Sequence, residues 1–245
     1  MGYMLEEGPQ KATVDHITLD VEGTAVPAYH ARPEGECLGG VVLSPDLLGL
    51  RPLFEEHCRR LATHGLAVCA PETFARLIPP GRSLDMEGRW AVANQLHDDV
   101  ILEDLAEAAD HLVAADGVGG ISVMGFCMGG STALKAAATG RFERAVAFYG
   151  MVRTPPDWTG GGLRDALDVV ADAACPTLAI FGEVDKLIPP ADIDALRSLW
   201  AGRPDHKVVV YPGADHAFAH DPDRPVHRPD DAADAWHRCL AFLLD

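Results

Sequence analysis

The chain has 245 residues, a length that suits one large α/β domain or at most two small ones, and 48% of them are hydrophobic, ample for a buried core. A formal net charge of −17 argues against a nucleic-acid partner, because phosphates call for clustered Lys and Arg and no such cluster occurs. No apolar run approaches the roughly 20 residues that cross a bilayer, and the N-terminus carries Glu6 and Glu7 instead of a basic stretch followed by an apolar one, so no membrane association and a cytoplasmic home are expected.

In chain order, Val14–Val21 and Ala25–Ala31 have strand-like composition around a turn at Glu22-Gly23 and read as a hairpin. Gly39–Ser44 is a short apolar run suited to a buried parallel strand. A helix is predicted from Pro52 to His64, with Phe54, Cys58, Leu61 and Ala62 on its buried face. Leu66–Ala70 is the next strand, and the Pro- and Gly-rich stretch from Glu72 to Arg89 reads as a loop. Residues 89–114 are predicted helical with a break near Asp98-Asp99. Ile121–Met124 is a strand, Met128–Thr139 a helix and Ala145–Tyr149 a strand.

Met151–Asp172, with Pro155-Pro156 and three consecutive glycines, reads as a loop with a short helix, placed to act as a lid. Thr177–Phe181 and Lys207–Tyr211 are strands, and Ala191–Ala201 and Asp230–Leu244 are helices. The alternation implies an α/β fold with a doubly wound, mostly parallel sheet and helices on both faces, residues 1–245 forming a single domain with a flexible N-terminus over 1–11. In such folds the site lies beyond the carboxyl ends of the strands.

The sharpest chemical signal is Gly125-Phe126-Cys127-Met128-Gly129-Gly130, between the strand ISVM and a helix. It has the form of a G-x-nucleophile-x-G elbow with cysteine as the nucleophile. The turn from strand to helix is so tight that side chains two positions either side would collide, hence Gly125 and Gly129, and the helix N-terminus behind the sulfur favours a thiolate. The other five cysteines (Cys37, Cys58, Cys69, Cys175, Cys239) form no C-x-x-C pair and read as inert. An elbow nucleophile needs an acid and then a histidine, in that order. Asp185 follows the strand TLAIF and His216 follows KVVVY, while Glu183 and Asp215 are rival acids, Asp215 reading as a turn residue. His216 and His220 have H-x-x-x-H spacing on a loop with no third ligand nearby, so no metal is expected, nor any other cofactor. Trp90, Tyr149, Phe218 and Trp158 are candidate pocket-lining aromatics.

Four segments, GFCMGG, FGEVDKLIP, YPGADHAFAH and SPDLLGL with the downstream APETFAR, resemble the dienelactone hydrolase (carboxymethylenebutenolidase) family of α/β-hydrolases, over about Gly39 to Leu244. The resemblance implies an α/β-hydrolase fold and a Cys127–His216–Asp185 triad that opens an ester or lactone of a small molecule through a thioester. It also implies an oxyanion hole from the N–H groups of Leu47 and Met128, and an activating carboxylate at Asp46, where the family has glutamate. The family's arginine four residues after the catalytic histidine is replaced here by His220, and its second arginine falls near Arg89, with Arg82 further off. An uncharged lactone or simple ester therefore becomes the more natural substrate. Arg89, Trp90, Tyr149, Phe218 and His220 remain the substrate-contact candidates, in a monomer or small homo-oligomer. An acyltransferase on the same triad, or a non-catalytic small-molecule binder of the same fold, is the rival reading.

Overall fold

The computed structural model describes residues 4–79 and 81–245, which group into two compact units. The first comprises Glu7–Ile121 and Thr154–Arg164, and the second residues 4–6, Ser122–Arg153 and Asp165–Asp245.

The first unit begins with the predicted hairpin, β1 (Ala12–Val21) and β2 (Thr24–Pro33), antiparallel with Val21 opposite Thr24. Glu22 and Gly23 both take positive φ, 48° and 80°, as the tight turn of a right-twisted hairpin demands. β3 (Gly39–Ser44) and β4 (Leu66–Pro71) pair in parallel, and β2 lies antiparallel on β4, giving the order β1-β2-β4-β3. β4 is buried along its whole length, which is why it reads LAVCAP without alternation.

α1 (Pro52–Thr63) links the two parallel strands and buries Phe54, Cys58, Leu61 and Ala62 as predicted. The predicted break falls where expected: α2 (Met86–Ala93) and α3 (Asp98–Asp116) are separate helices, with Asp85 capping α2 through the Gly88 amide. Tyr29 and His30 are successive residues of a strand and so point to opposite faces. Tyr29 packs on His16, whose ring pairs with Glu55 of α1, while His30 bonds Asp116 of α3, so helices cover both faces of this unit.

The second unit is a parallel sheet in sequence order, β5 (Ile121–Phe126), β6 (Ala145–Phe148), β7 (Thr177–Gly182) and β8 (His206–Tyr211). α4 (Met128–Ala136), α5 (Pro190–Leu199) and α6 (Pro229–Leu244) complete it. No described helix is long and apolar enough to cross a membrane.

Two expectations meet a different outcome. Of the supposedly flexible 1–11 segment, residues 1–3 lie outside the described residues, but the remainder is tethered: Met4 and Leu5 are buried, Gly8 N donates to Thr63 Oγ1 at 2.7 Å and Gln10 N to the Thr63 carbonyl at 3.1 Å. Residues 151–172 hold three short 3-10 turns, and 160–164 are strapped down. Gly160 N donates to Asn94, Gly162 N to the Leu96 carbonyl, and Arg164 reaches Asp98 and Asp99. These bonds tie residues 160–164 to the 94–99 stretch of the same unit.

Candidate active site

Cys127 stands between β5 and α4 with φ 57° and ψ −115°, a conformation L-residues rarely adopt and one that needs support from its surroundings. The support is visible. Cys127 N donates to the Phe148 carbonyl at 3.0 Å, and its own carbonyl receives the Ser131 amide at 3.0 Å. A Cβ on Gly125 would fall on the Gly129 carbonyl, which is the steric reason for the first elbow glycine. Gly130 is needed for a different contact, since a Cβ there would strike the Phe148 carbonyl and the Gly150 backbone. Cys127 is half-buried, while Cys58, Cys69, Cys175 and Cys239 are buried.

Asp185 lies three residues beyond β7, with its side chain wholly buried. One carboxylate oxygen accepts from the Leu187 amide at 2.8 Å and the other meets His216 Nδ1 at 2.7 Å. The loops after β7 and β8 are laced together by Glu183 N to the Tyr211 carbonyl and Val184 N to the Ala214 carbonyl, both at 3.0 Å. They approach so closely that a Cβ on Gly182 would meet the Ala214 carbonyl. The two rival acids are occupied elsewhere: Glu183 accepts from the Gly213 amide at 2.8 Å, and Asp215 from the His216 amide at 2.7 Å.

With Nδ1 on the carboxylate, Nε2 is left as the working nitrogen. It is buried and makes no well-formed hydrogen bond to any described residue. Burial alone would push the His216 imidazole down. The neighbouring Cys127 and the Asp185 carboxylate outweigh burial and raise the pKa to about 10.

Tyr149 follows β6 with φ 37°, and its ring packs edge-on against His216 at 5.1 Å between centroids. Its hydroxyl bonds His220 Nδ1. His220, Phe218 and Tyr149 have no exposed surface, and Phe218 and His220 both pack on the Tyr149 ring that meets His216. Bracing of the imidazole by Tyr149 was not legible in the sequence; a positive φ on a tyrosine leaves no mark there.

Met128 is the first residue of α4, where backbone N–H groups have no intrahelical acceptor. Leu47 and Asp46 belong to the other unit, on the turn after β3. Asp46 is held in a fork by Arg51, Nη1 to Oδ1 at 2.6 Å and Nη2 to Oδ2 at 2.8 Å, and Oδ1 also accepts the Leu48 amide. Arg51 went unrecognised from sequence, although an arginine five residues after a carboxylate was the available signal. Arg89 bonds Glu72 at 3.3 Å, and Trp90 donates to Asp157 at 3.1 Å while its ring lies tilted 4.5 Å from that of the buried Trp158. No group of three or more His, Cys, Asp and Glu suited to a metal ion occurs among the described residues.

Residues 26–245 match the profile of the "Dienelactone hydrolase family". The chain belongs to the dienelactone hydrolase family. It is 31% identical over 242 residues to an Escherichia coli protein described as "Putative carboxymethylenebutenolidase", covering 96% of this chain and 88% of that protein. It is 28% identical over 240 residues to the "Carboxymethylenebutenolidase" of Rhodococcus opacus, covering 94% and 92%. Its fold is that of the crystal structure titled "Putative Dienelactone Hydrolase" from Klebsiella pneumoniae, with a TM-score of 0.84, 30% identity and coverage of 94% and 98%. The α/β-hydrolase architecture and a hydrolase activity follow for this member of the family.

Proposed function

We propose that this dienelactone hydrolase relative cleaves a small ester or lactone in the cytoplasm with Cys127 as nucleophile. The observation that carries the reading is the convergence, at the carboxyl ends of β5, β7 and β8 of one parallel sheet, of a strained turn carrying a half-buried cysteine, a buried carboxylate and an imidazole held by it.

In the first half-reaction His216 Nε2 holds the thiol proton and the Cys127 sulfur attacks the carbonyl carbon. The developing oxyanion is received by the Met128 N–H at the start of α4. Collapse breaks the carbon–oxygen bond. The leaving oxygen takes the proton from His216, and the acyl group remains as a thioester on Cys127. In a lactone the leaving oxygen stays tethered to that acyl group. In the second half-reaction His216 removes a proton from water, hydroxide adds to the thioester, and the thiolate leaves as the acid is released. Asp185 keeps Nδ1 protonated and stabilises the imidazolium throughout. Asp46, engaged by Arg51, fixes the turn that carries Leu47.

The test is hydrolysis of p-nitrophenyl acetate and of an uncharged γ-lactone. Cys127→Ala should remove turnover without unfolding the protein, and Cys127→Ser should retain at most a trace. Near-native rates in Cys127→Ala would overturn the assignment.

A further inference from the structure

β8 is the last strand of its sheet and is paired on one side alone, with β7. Thr177 N donates to the Asp205 carbonyl at 3.2 Å and Glu183 N to the Tyr211 carbonyl at 3.0 Å. Along a strand, the backbone groups of successive residues turn to alternate sides. The odd-numbered residues of β8 therefore bond β7, and the N–H and C=O groups of Val208 and Val210 point to the open side of the sheet. Such an edge is commonly guarded by proline, a bulge or charge. β1, the outer strand of the first unit, carries Asp15 and Asp20. β8 has no proline, its register with β7 runs unbroken from His206 to Tyr211, and its centre is the half-buried run Val208-Val209-Val210.

The side chains beside this edge carry complementary charge. Lys207 and Tyr211 face α6: the Lys207 ammonium lies 5.7 Å from the centre of the Phe242 ring, and the Tyr211 hydroxyl donates to Asp234 at 2.7 Å. His206 lies on the opposite face, against Trp200. Between β8 and α6 runs a groove of about 190 Å³ lined by Lys207, Val209, Arg238, Ala241 and Phe242. Lys207 is exposed, with no carboxylate partner among the described residues. Asp234 receives Tyr211 and, at 2.7 Å, Arg238 on the same oxygen, Oδ2, so Oδ1 is open to a further cation.

We propose that β8 pairs with β8 of a second copy of this chain, antiparallel about a two-fold axis through Val209. The strand is self-complementary in that register. Val208 meets Val210 of the second copy, and each such pair exchanges both of its N–H···O bonds. Val209 meets its own counterpart on the axis. Lys207 meets Tyr211 of the second copy and reaches the Asp234 beside it, a charge pair that the symmetry supplies twice. An unrelated strand would have to match the valine run and both charges separately, whereas a second copy does so by symmetry. β6 and β7 separate β8 from β5 and its elbow, so the contact is independent of the reaction assigned to Cys127.

Sedimentation velocity of the full chain across the micromolar range tests the pairing, with the 26.2 kDa chain expected to run at twice its mass. Val209→Lys, which sets two ammonium groups together on the axis, should weaken the dimer at least about tenfold. Lys207→Glu and Asp234→Lys should each weaken it likewise, and the double variant should restore it, a rescue that damage to the fold would not give. Disulfide trapping reads the register. The Cα atoms of Val209 and its counterpart would lie about 4.5 Å apart, within reach of a disulfide, but those of Val208 and its own counterpart about 7–8 Å apart. Under mild oxidation in a Cys127→Ala background, Val209→Cys should cross-link through position 209 and Val208→Cys should not. A monomer at every concentration, a dimer that Val209→Lys leaves intact, or failure of Val209→Cys to cross-link would overturn the proposal. Should Val209→Lys lose its circular dichroism, the two cysteine variants decide.

Discussion

At the scale of single residues, the six cysteines are separated by their surroundings more than by their chemistry. Burial pushes the Cys58 thiol far up, Cys69 up to about 12 with help from Asp116, and Cys175 up to about 11, and burial alone lifts Cys239. Thiols so placed are neutral and unreactive at pH 7. Brief iodoacetamide treatment followed by peptide mapping should therefore find Cys127 labelled first. Cys37, half-buried and directed at the Gly39 carbonyl, is its only competitor among the described cysteines, and labelling of Cys37 at an equal rate would remove the special standing of the elbow. His216 offers a second check. Its folded pKa is raised to about 10, so the imidazolium's stabilising contribution is complete below its unfolded value and fades as pH rises toward that figure. Cys127→Ala deletes the neighbouring sulfur while leaving Asp185 in place. The ring's titration, followed by nitrogen-15 NMR, should move to lower pH in that variant; an unmoved titration would mean that Asp185 alone sets it.

At the scale of elements, β2 and α3 are joined by a chain of three side chains. His30 Nε2 meets Asp116 Oδ2 at 2.7 Å, and His111 Nε2 meets His30 Nδ1 at 3.1 Å. The carboxylate sits at the C-terminal end of α3, where the helix dipole disfavours it, so its histidine partner matters. Cys69 lies opposite His30 on β4, and Arg32, bound to Asp15 of β1, faces His111. Burial, then His30, lowers the His111 pKa. The unfolded chain then takes up this proton more readily than the folded one, so stability is lost as pH falls below about 6.5, the ordinary histidine value. His111→Gln, which keeps a side-chain donor toward His30, should flatten the fall in urea midpoint between pH 7 and 5; an unaltered slope would place the acid sensitivity elsewhere. The hairpin supplies a simpler case. Glu22 holds φ 48° at an exposed turn position, where Asn is favoured, so Glu22→Asn should raise stability by about 0.5–1 kcal/mol, read from the same urea midpoints.

What the sequence made legible at this scale was local. The Glu22-Gly23 turn, the break before Asp98, the elbow and the two post-strand loops are each written within a few consecutive residues. The Trp90–Trp158 contact, the Arg164–Asp98 strap and the buried Tyr149–His220 bond join residues more than sixty positions apart and carry no local signature. The spacing of His220 from His216 is visible in the sequence, whereas its burial and its bond to Tyr149 are not.

At the scale of the whole molecule the net charge governs how substrates arrive. A chain of −17 surrounds itself with a negative potential, which lowers the local concentration of an anionic substrate and leaves a neutral one unaffected. The Debye length is about 30 Å at 0.01 M salt and about 8 Å at 0.15 M, so the penalty is long-ranged at low ionic strength and mostly gone near physiological salt. His220, four residues after His216, is fully buried and bonded to Tyr149, so it presents no charge at the surface to offset that penalty. For a matched pair of carboxylated and neutral lactones, the ratio of kcat/KM, charged over neutral, should rise several-fold between 0.01 M and 0.3 M sodium chloride, with the neutral substrate's own value nearly constant. Because the potential acts on the equilibrium concentration at the site, the rise is expected whether chemistry or encounter limits turnover. A ratio that falls with salt would mean that a local cationic group attracts the carboxylate more strongly than the rest of the chain repels it. Repeating the measurement with Arg89→Ala would then show whether Arg89 is that group, since only its removal should abolish the fall.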